Sequence, residues 1–296
     1  MRIFITGGTG LLGRNLITYL EEKHTLFCSH FPAVPVDRDH IPHYLLDITE
    51  RERVFDILGE VKPDVIVHTA SCGNVDWVEK NREQGRKVNV EGTKNIVDAA
   101  RKIDARVIFT STNAVFDGEN APYREEDPTH PINMYGKTKV EGERIVSQAG
   151  TNHTIVRPIL MYGWNHPQER QNPVTWLLVQ LREGIQIKLV DDIYANPLLV
   201  DDCSMAIKKI IEEEKSGLYH IAGGERLNRY EMGVMTAEVF DLDVDLLSPV
   251  KNSFFQAIAP RPVDTSYDVS KMISDLGVRP RGMREGLVFM RESDHG

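Results

Sequence analysis

Gly7, Gly10 and Gly13 are spaced three apart, directly after the apolar run Arg2-Ile3-Phe4-Ile5-Thr6 and at the head of a helically periodic segment, 11–22. In that order, strand, glycine turn and helix bring bare backbone close to a phosphate held at the helix's positive end. A glycine-rich turn without a ligand has the same spacing. A Walker-type phosphate loop is ruled out, because Arg14, not Lys-Ser or Lys-Thr, follows Gly13. The turn predicts dinucleotide binding.

The pattern then repeats. Apolar runs at 25–29, 43–46, 64–68, 106–110 and 153–157 alternate with helical periodicity at 50–59, 75–102 and 132–148. Such alternation predicts an α/β fold, a Rossmann-type doubly wound parallel sheet covered on both faces, with ligands gathered at the carboxyl ends of the strands. After Arg157-Pro158 the rhythm changes to a polar loop at 164–173, helices at 174–183, 201–214 and 229–240, a strand near 218–221 and a loop at 259–262. With 296 residues, near the size at which a single core stops growing, the chain is expected to divide. Residues 1–157 would form the dinucleotide-binding domain and 158–296 mainly a smaller α/β substrate-binding region, with some segments returning to the first domain.

Charge and cysteine usage narrow the partners. Thirty-five basic against 44 acidic side chains give a net charge of -9, which argues against a broad nucleic-acid footprint. Cys28, Cys72 and Cys203 form no CxxC pair, so a reducing cytoplasm is expected. The opening residues leave no room for a signal peptide, and no window reaches membrane-span length. Ten histidines show no ligand spacing, and no metal is expected. Asp191-Asp192 and Asp201-Asp202 are the nearest thing to a carboxylate cluster, and Asp201 is better read as a helix N-cap.

An acid at the end of the second strand would read the ribose hydroxyls of NAD. This chain has Ser29 and His30 there and no acid before Asp37. NADP(H) is therefore favoured and NAD(H) remains open, His30 being equally readable as an exposed loop residue. Asp47, beside Ile48, is placed either to meet the adenine edge or to cap the next helix.

Tyr135 and Lys139 share one face of the helix predicted at 132–148. Alone, YxxxK is weak, since nine tyrosines in this chain yield about 0.4 such pairs by chance. The strand ending at Thr110 adds Ser111 and Thr112 at the place where a nicotinamide would lie. Ketone reduction needs a proton at the carbonyl oxygen as hydride arrives. An ammonium about 4 Å from the phenol at an effective dielectric near 20 favours the phenolate by about 4 kcal/mol, bringing Tyr135 toward working pH. Thr112 would hydrogen-bond the same carbonyl.

Gly7-Thr9-Gly10-Gly13, Val88-Asn89-Val90-Glu91-Gly92-Thr93, Val115-Phe116-Asp117-Gly118 and Tyr135-Gly136-Lys137-Thr138-Lys139 resemble an extended short-chain dehydrogenase/reductase. Phe116-Asp117-Gly118, Tyr123 with Glu125-Asp127-Pro128, Pro131-Asn133-Tyr135-Gly136 and Arg261-Pro262 resemble its dTDP-4-dehydrorhamnose reductase-like branch. The resemblance covers nearly the whole chain. It implies Thr112, Tyr135 and Lys139 as the catalytic trio, with Lys139 also on the nicotinamide ribose, and a nucleotide-sugar substrate. It places His68, Ala70 and Ser71 beside the cofactor, Asn89 in support and Pro158 at the carboxamide. Leu11, Leu12, Ile48 and Thr110 complete the expected cofactor set.

Two departures bear on the substrate. Asn113-Ala114 stands where rhamnose reductases have Asp-Tyr, and Leu160 where they have Trp, so the sugar-facing surface differs. Asn113-Ala114 also lacks the Asp-Glu that dehydratases use as acid and base. Arg157, Arg170, Arg226, Arg229, Arg261, Arg281 and Arg284 are candidate cations for a diphosphate. Arg261 is preferred for its stiff Pro-flanked loop, with Asn113 as a further substrate contact. The expected activity is reduction of a nucleotide-linked 4-keto-6-deoxy sugar. The alternatives are an NAD-dependent sugar-nucleotide epimerase and a non-catalytic regulatory subunit. A homodimer is expected from the likeness.

Overall fold

The computed structural model describes residues 1–32, 38, 40–167 and 169–293; Asp37 lies outside them. The elements of the first half are β1 (Arg2–Thr6), α1 (Leu11–Leu20), β2 (Thr25–His30), β3 (His43–Leu45), α2 (Arg51–Val61), β4 (Val65–His68), α3 (Val75–Lys80), α4 (Arg82–Arg86), α5 (Thr93–Lys102), β5 (Arg106–Thr110), α6 (Met134–Gln148) and β6 (His153–Pro158). Together with the strand Gly217–Ile221, β1 to β6 form one parallel sheet. From that strand the order runs β6, β5, β4, β1, β2, β3, reversing direction between β1 and β4, where a doubly wound sheet opens its ligand crevice.

Strand side chains alternate faces, and both faces are dry. Ile3 and Ile5 of β1 join Leu16, Ile207 and Ile211 on one side, and Phe4 joins Leu58, Ile96 and Ala100 on the other. The helix α8 (Val200–Glu212) lies against α1, so the chain beyond residue 157 contributes a strand and a helix to the main sheet. The remaining part packs α7 (Pro173–Arg182), α9 (Arg229–Val239) and the helix Met283–Glu292 around Val174, Leu178, Met232 and Leu287.

The single helix expected over 75–102 is broken. Asn74 caps α3, Asn81 leaves helical geometry and donates its side-chain amide to the Trp77 carbonyl, and Lys87–Gly92 winds as a π-helix before α5. The π turn carries Asn89, which accepts from the Cys72 N–H at 2.7 Å and donates to the Thr138 hydroxyl at 3.1 Å. Insertions of this kind re-aim a side chain into a site.

Asp201 is not an N-cap. Leu199 holds that position, and Asp201, in the first turn of α8, accepts from Tyr19 at 3.0 Å and Asn15 at 3.2 Å. Those donors on α1 bind the carboxylate, and Asp202 is paired with Arg281. Among the described residues no group of three potential metal ligands occurs. Among the described residues no helix is long and apolar enough to cross a membrane.

Candidate active site

Two clefts meet at the carboxyl edge of the sheet. The first is lined by Gly7, Thr9, Gly10, Leu11, Leu12, Gly13, Ser29, His30, Asp47, Ile48, Ala70, Ser71, Thr110, Tyr135 and Pro158. The second, on the side of the later chain, is lined by Thr112, Asn113, Arg229, Arg261, Thr265 and, again, Tyr135 and Pro158. Tyr135 therefore stands on the boundary between them.

The floor of the first cleft is backbone. Gly7 has φ +70°, and a Cβ on Gly13 would lie 2.3 Å from the Gly7 carbonyl oxygen, so helix and turn approach as closely as bare glycine permits. Gly10 begins α1 without a side-chain cap, which leaves N–H groups of the first turn open toward the cleft. A dinucleotide diphosphate fits this cradle.

The expected ribose-end residues behave unevenly. Ser29 and His30 both line the cleft, but burial lowers the His30 pKa, and His43, 6.0 Å away ring to ring, is pushed down to about 4. His30 is thus mostly neutral at pH 7 and offers a phosphate a hydrogen bond more readily than a charge. Asp47 lines the cleft and also accepts from the Thr49 N–H at 2.9 Å, so it serves the turn before α2 as well.

Three expected cofactor residues lie beneath the surface of the cleft. His68 is locked between the hydroxyls of Thr6 (2.7 Å) and Thr93 (3.1 Å); burial, and then the charge of Lys139, drive its pKa to about 3. Its neutral ring ties β1 to α5. Asn89 is held by Cys72 and Thr138. Lys139 is 2% exposed, donates to the Thr110 carbonyl at 2.6 Å and sits 4.3 Å over the Phe109 ring.

The trio is brought together by close helix approach. Asn133 caps α6 by accepting from the Gly136 N–H at 2.8 Å. A Cβ on Gly136 would fall 2.0 Å from the Ala114 carbonyl oxygen, so glycine there lets Tyr135 reach Thr112. The Thr112 hydroxyl donates to the Asn113 side-chain carbonyl at 3.3 Å and accepts from the Ala114 N–H at 3.2 Å, and it stands near enough to the phenol to favour its anion. The electrostatics differ from the sequence expectation. Burial raises the Tyr135 pKa, and the neighbouring Thr112 hydroxyl opposes this. The lysine is turned to a backbone carbonyl and a ring, and burial brings its own pKa down to about 7 against the pull of Glu143.

In the second cleft Asn113 donates to the Thr265 hydroxyl at 2.6 Å, bracing its wall. Arg261 is paired with Asp76 at 2.8 Å, and Asp76 also accepts from the Ala259 N–H. Among the described residues Arg229 has no carboxylate partner, and its guanidinium donates to the Met232 sulfur at 3.9 Å. Burial and the neighbouring Arg261 lower its pKa to about 10, which leaves it cationic at neutral pH. Of the other candidate cations, Arg157 is buried on Glu143, while Arg226, Arg281 and Arg284 pair with Asp264, Asp202 and Glu238. Arg170 lines the first cleft. Sequence reasoning ranked Arg229 below Arg261, but a signal for it existed. Asn228 and Glu231 form a capping box, which puts a cation in the first turn of α9, against the helix dipole.

Known proteins are similar over nearly the full length. The chain is 31% identical to methionine adenosyltransferase 2 subunit beta of Xenopus laevis, over 97% of this chain and 87% of that protein. It is 27% identical to dTDP-4-dehydrorhamnose reductase of Aggregatibacter actinomycetemcomitans, over 98% of both. The crystal structure of dTDP-4-dehydrorhamnose reductase from Bacillus anthracis in complex with NADP superposes with a TM-score of 0.88 at 27% identity, covering 98% of each chain. A family model described as the RmlD substrate binding domain matches residues 1–294, and the chain belongs to that family.

Proposed function

We propose that this protein is an NADPH-dependent reductase of a nucleotide-linked 4-keto-6-deoxy sugar, of the dTDP-4-dehydrorhamnose reductase type. The observation that carries this reading is the position of Tyr135, beside Thr112, where a backbone-floored cleft opens into one that holds Arg229, an arginine with no carboxylate partner among the described residues. The NADP of the Bacillus anthracis relative supports the choice of cofactor.

The cofactor supplies the hydride. Gly7, Gly10 and Gly13 would hold its diphosphate at the head of α1, and Ser29 and His30 would face its adenosine ribose. Tyr135 gives its proton to the sugar's keto oxygen as the neighbouring carbon takes the hydride. Burial suits this step because it keeps the phenol protonated, the form that donates. The Thr112 hydroxyl then donates to the phenolate left behind. Arg229 and Arg261 would receive the nucleotide diphosphate, Arg261 by exchanging Asp76 for phosphate. Cytoplasmic location agrees with three free cysteines, and a homodimer is the family expectation.

The test is depletion of NADPH absorbance at 340 nm with a dTDP-4-keto-6-deoxy sugar, with NADH in a parallel arm. Cofactor that co-purifies and is not consumed would point to an epimerase. The similarity to methionine adenosyltransferase 2 subunit beta favours a second reading, a regulatory subunit. A stoichiometric complex with a methionine adenosyltransferase catalytic subunit, with no turnover of any nucleotide sugar, would replace the reductase reading.

A further inference from the structure

Behind the trio lies a buried ion pair that the reaction as described does not use. Tyr135, Lys139 and Glu143 follow one another at four-residue spacing on α6, and so form a single stripe. The Glu143 carboxylate accepts from both Nε and Nη2 of Arg157, each at 2.8 Å, and from the Ser111 hydroxyl. Glu143 and Arg157 are 8% and 4% exposed. Nη1 of Arg157 reaches Nε2 of His220 at 3.3 Å; because arginine can only donate, that nitrogen accepts. The ring proton is then on Nδ1, which donates to the Tyr123 carbonyl at 3.2 Å. Every group in the chain Ser111, Glu143, Arg157 and His220 is thereby satisfied.

A buried carboxylate and guanidinium are costly to desolvate, and a hydrophobic pair of the same volume is often as stable. Stability alone explains this one poorly. Ser111 precedes Thr112 at the end of β5, and its N–H is fixed by the Val156 carbonyl at 2.6 Å. The Ser111–Glu143 bond therefore joins the peptide that carries Thr112 to the helix that carries Tyr135 and Lys139.

The geometry points to Glu143, oriented by Arg157, as a positioning residue for the proposed reduction: it sets the Thr112–Tyr135 separation through Ser111 and supplies the negative charge facing Lys139. This rests on the reductase reading. The groups around Lys139 are the Thr110 carbonyl and Phe109 ring from β5, His68 from β4, Tyr135 and Glu143 one turn to either side on its own helix and, behind Glu143, Arg157 from β6. His68 is neutral, so Glu143 is the counter-charge. Without it Lys139, already drawn down to about 7 by burial, loses its proton at still lower pH.

The experiment compares wild type, Glu143→Gln, Glu143→Asp and Ser111→Ala. Turnover is followed from pH 5.5 to 9.5, and NADPH affinity over the same range by fluorescence without sugar. Glu143→Gln should lower kcat about 10- to 100-fold with KM within about threefold, and should move the alkaline fall of both turnover and NADPH affinity toward acid. Glu143→Asp keeps the charge and should lose kcat with the alkaline limb in place, as should Ser111→Ala. If Glu143→Gln does not fold, the charge-free pair Glu143→Gln with Arg157→Met takes its place, with the same expected shift. A folded Glu143→Gln protein with wild-type kcat and pH profile would overturn the inference, and so would a Ser111→Ala protein with unchanged kcat. Should wild type turn over no sugar, the reductase reading falls. The shift in NADPH affinity still decides whether Glu143 governs Lys139.

Discussion

The two clefts that meet at Tyr135 are built in different ways. The first is made of main chain: glycines in a turn, helix N–H groups and short segments that follow successive strands of one sheet. The second is made of side chains drawn from the turn after β5, the start of α9 and the loop around Arg261. A backbone site tolerates change in its surroundings but not the addition of a single carbon. A side-chain site loses affinity contact by contact, and its specificity can change by substitution. Sharing a cofactor while differing in substrate is what this division of labour permits.

The sharpest way to break the comparison is at Tyr135, whose phenol stands between the two clefts. Tyr135→Phe should lower turnover by about 10³-fold or more, since it removes the proton donor. NADPH affinity and nucleotide affinity should each stay within about threefold. Equal turnover in the two proteins would take the phenol out of the chemistry.

Next in size is Gly13→Ala. Its methyl would overlap the Gly7 carbonyl and Gly8, so the turn must open. Overpacking of this kind costs about 1–3 kcal/mol of stability, and NADPH affinity should fall by about 100-fold because the cradle itself is displaced. Binding of dTDP alone, measured calorimetrically, should be unchanged. A parallel loss of dTDP affinity would show that the clefts are not independent.

A smaller effect tests the second cleft alone. Arg229→Ala should raise KM for the sugar nucleotide by about 10- to 100-fold, a charged hydrogen bond being worth about 1.5–3 kcal/mol. Arg261→Ala should cost less, because its guanidinium must first leave Asp76. The reverse order would assign the diphosphate chiefly to Arg261. NADPH affinity should not change in either variant.

This contrast also explains how much could be read beforehand. The sheet and first cleft were legible because their residues sit at strand ends in sequence order, and apolar period and glycine spacing mark those ends locally. The α6 pair was visible for the same reason, being one helical turn. What was hidden depends on partners distant in sequence. Asp201 meets Tyr19 and Asn15 across 182 and 186 positions, and Asp76 reaches Arg261 through a fold no local pattern announces. The π turn at Asn89 was read as plain helix, because its cause is a pair of contacts with Cys72 and Thr138. The direction of the Lys139 amine was hidden in the same way: four residues place two groups on one side of a helix, but the Thr110 carbonyl and the Phe109 ring decide where the amine points.

Lys139 carries the most delicate test, because it belongs to neither cleft surface and stores a cost beneath both. In the folded protein its pKa is about 7, and in the unfolded chain near 10.5. Below about pH 7 both states hold the proton, and the folded state bears the full penalty of a buried ammonium. Between pH 7 and 10.5 the unfolded chain binds more protons, so stability rises with pH and the penalty fades. Lys139→Met removes the group while filling its space. At pH 6 it should stabilise the fold by about 2 kcal/mol, allowing for the lost Thr110 contact, and raise Tm by about 4–8 °C. The gain should shrink toward pH 10, and turnover should fall with it, as expected where a site is kept at the expense of stability. A Lys139→Met protein that is less stable than wild type at pH 6 would mean that the ammonium, its carbonyl and Glu143 together stabilise the sheet's edge.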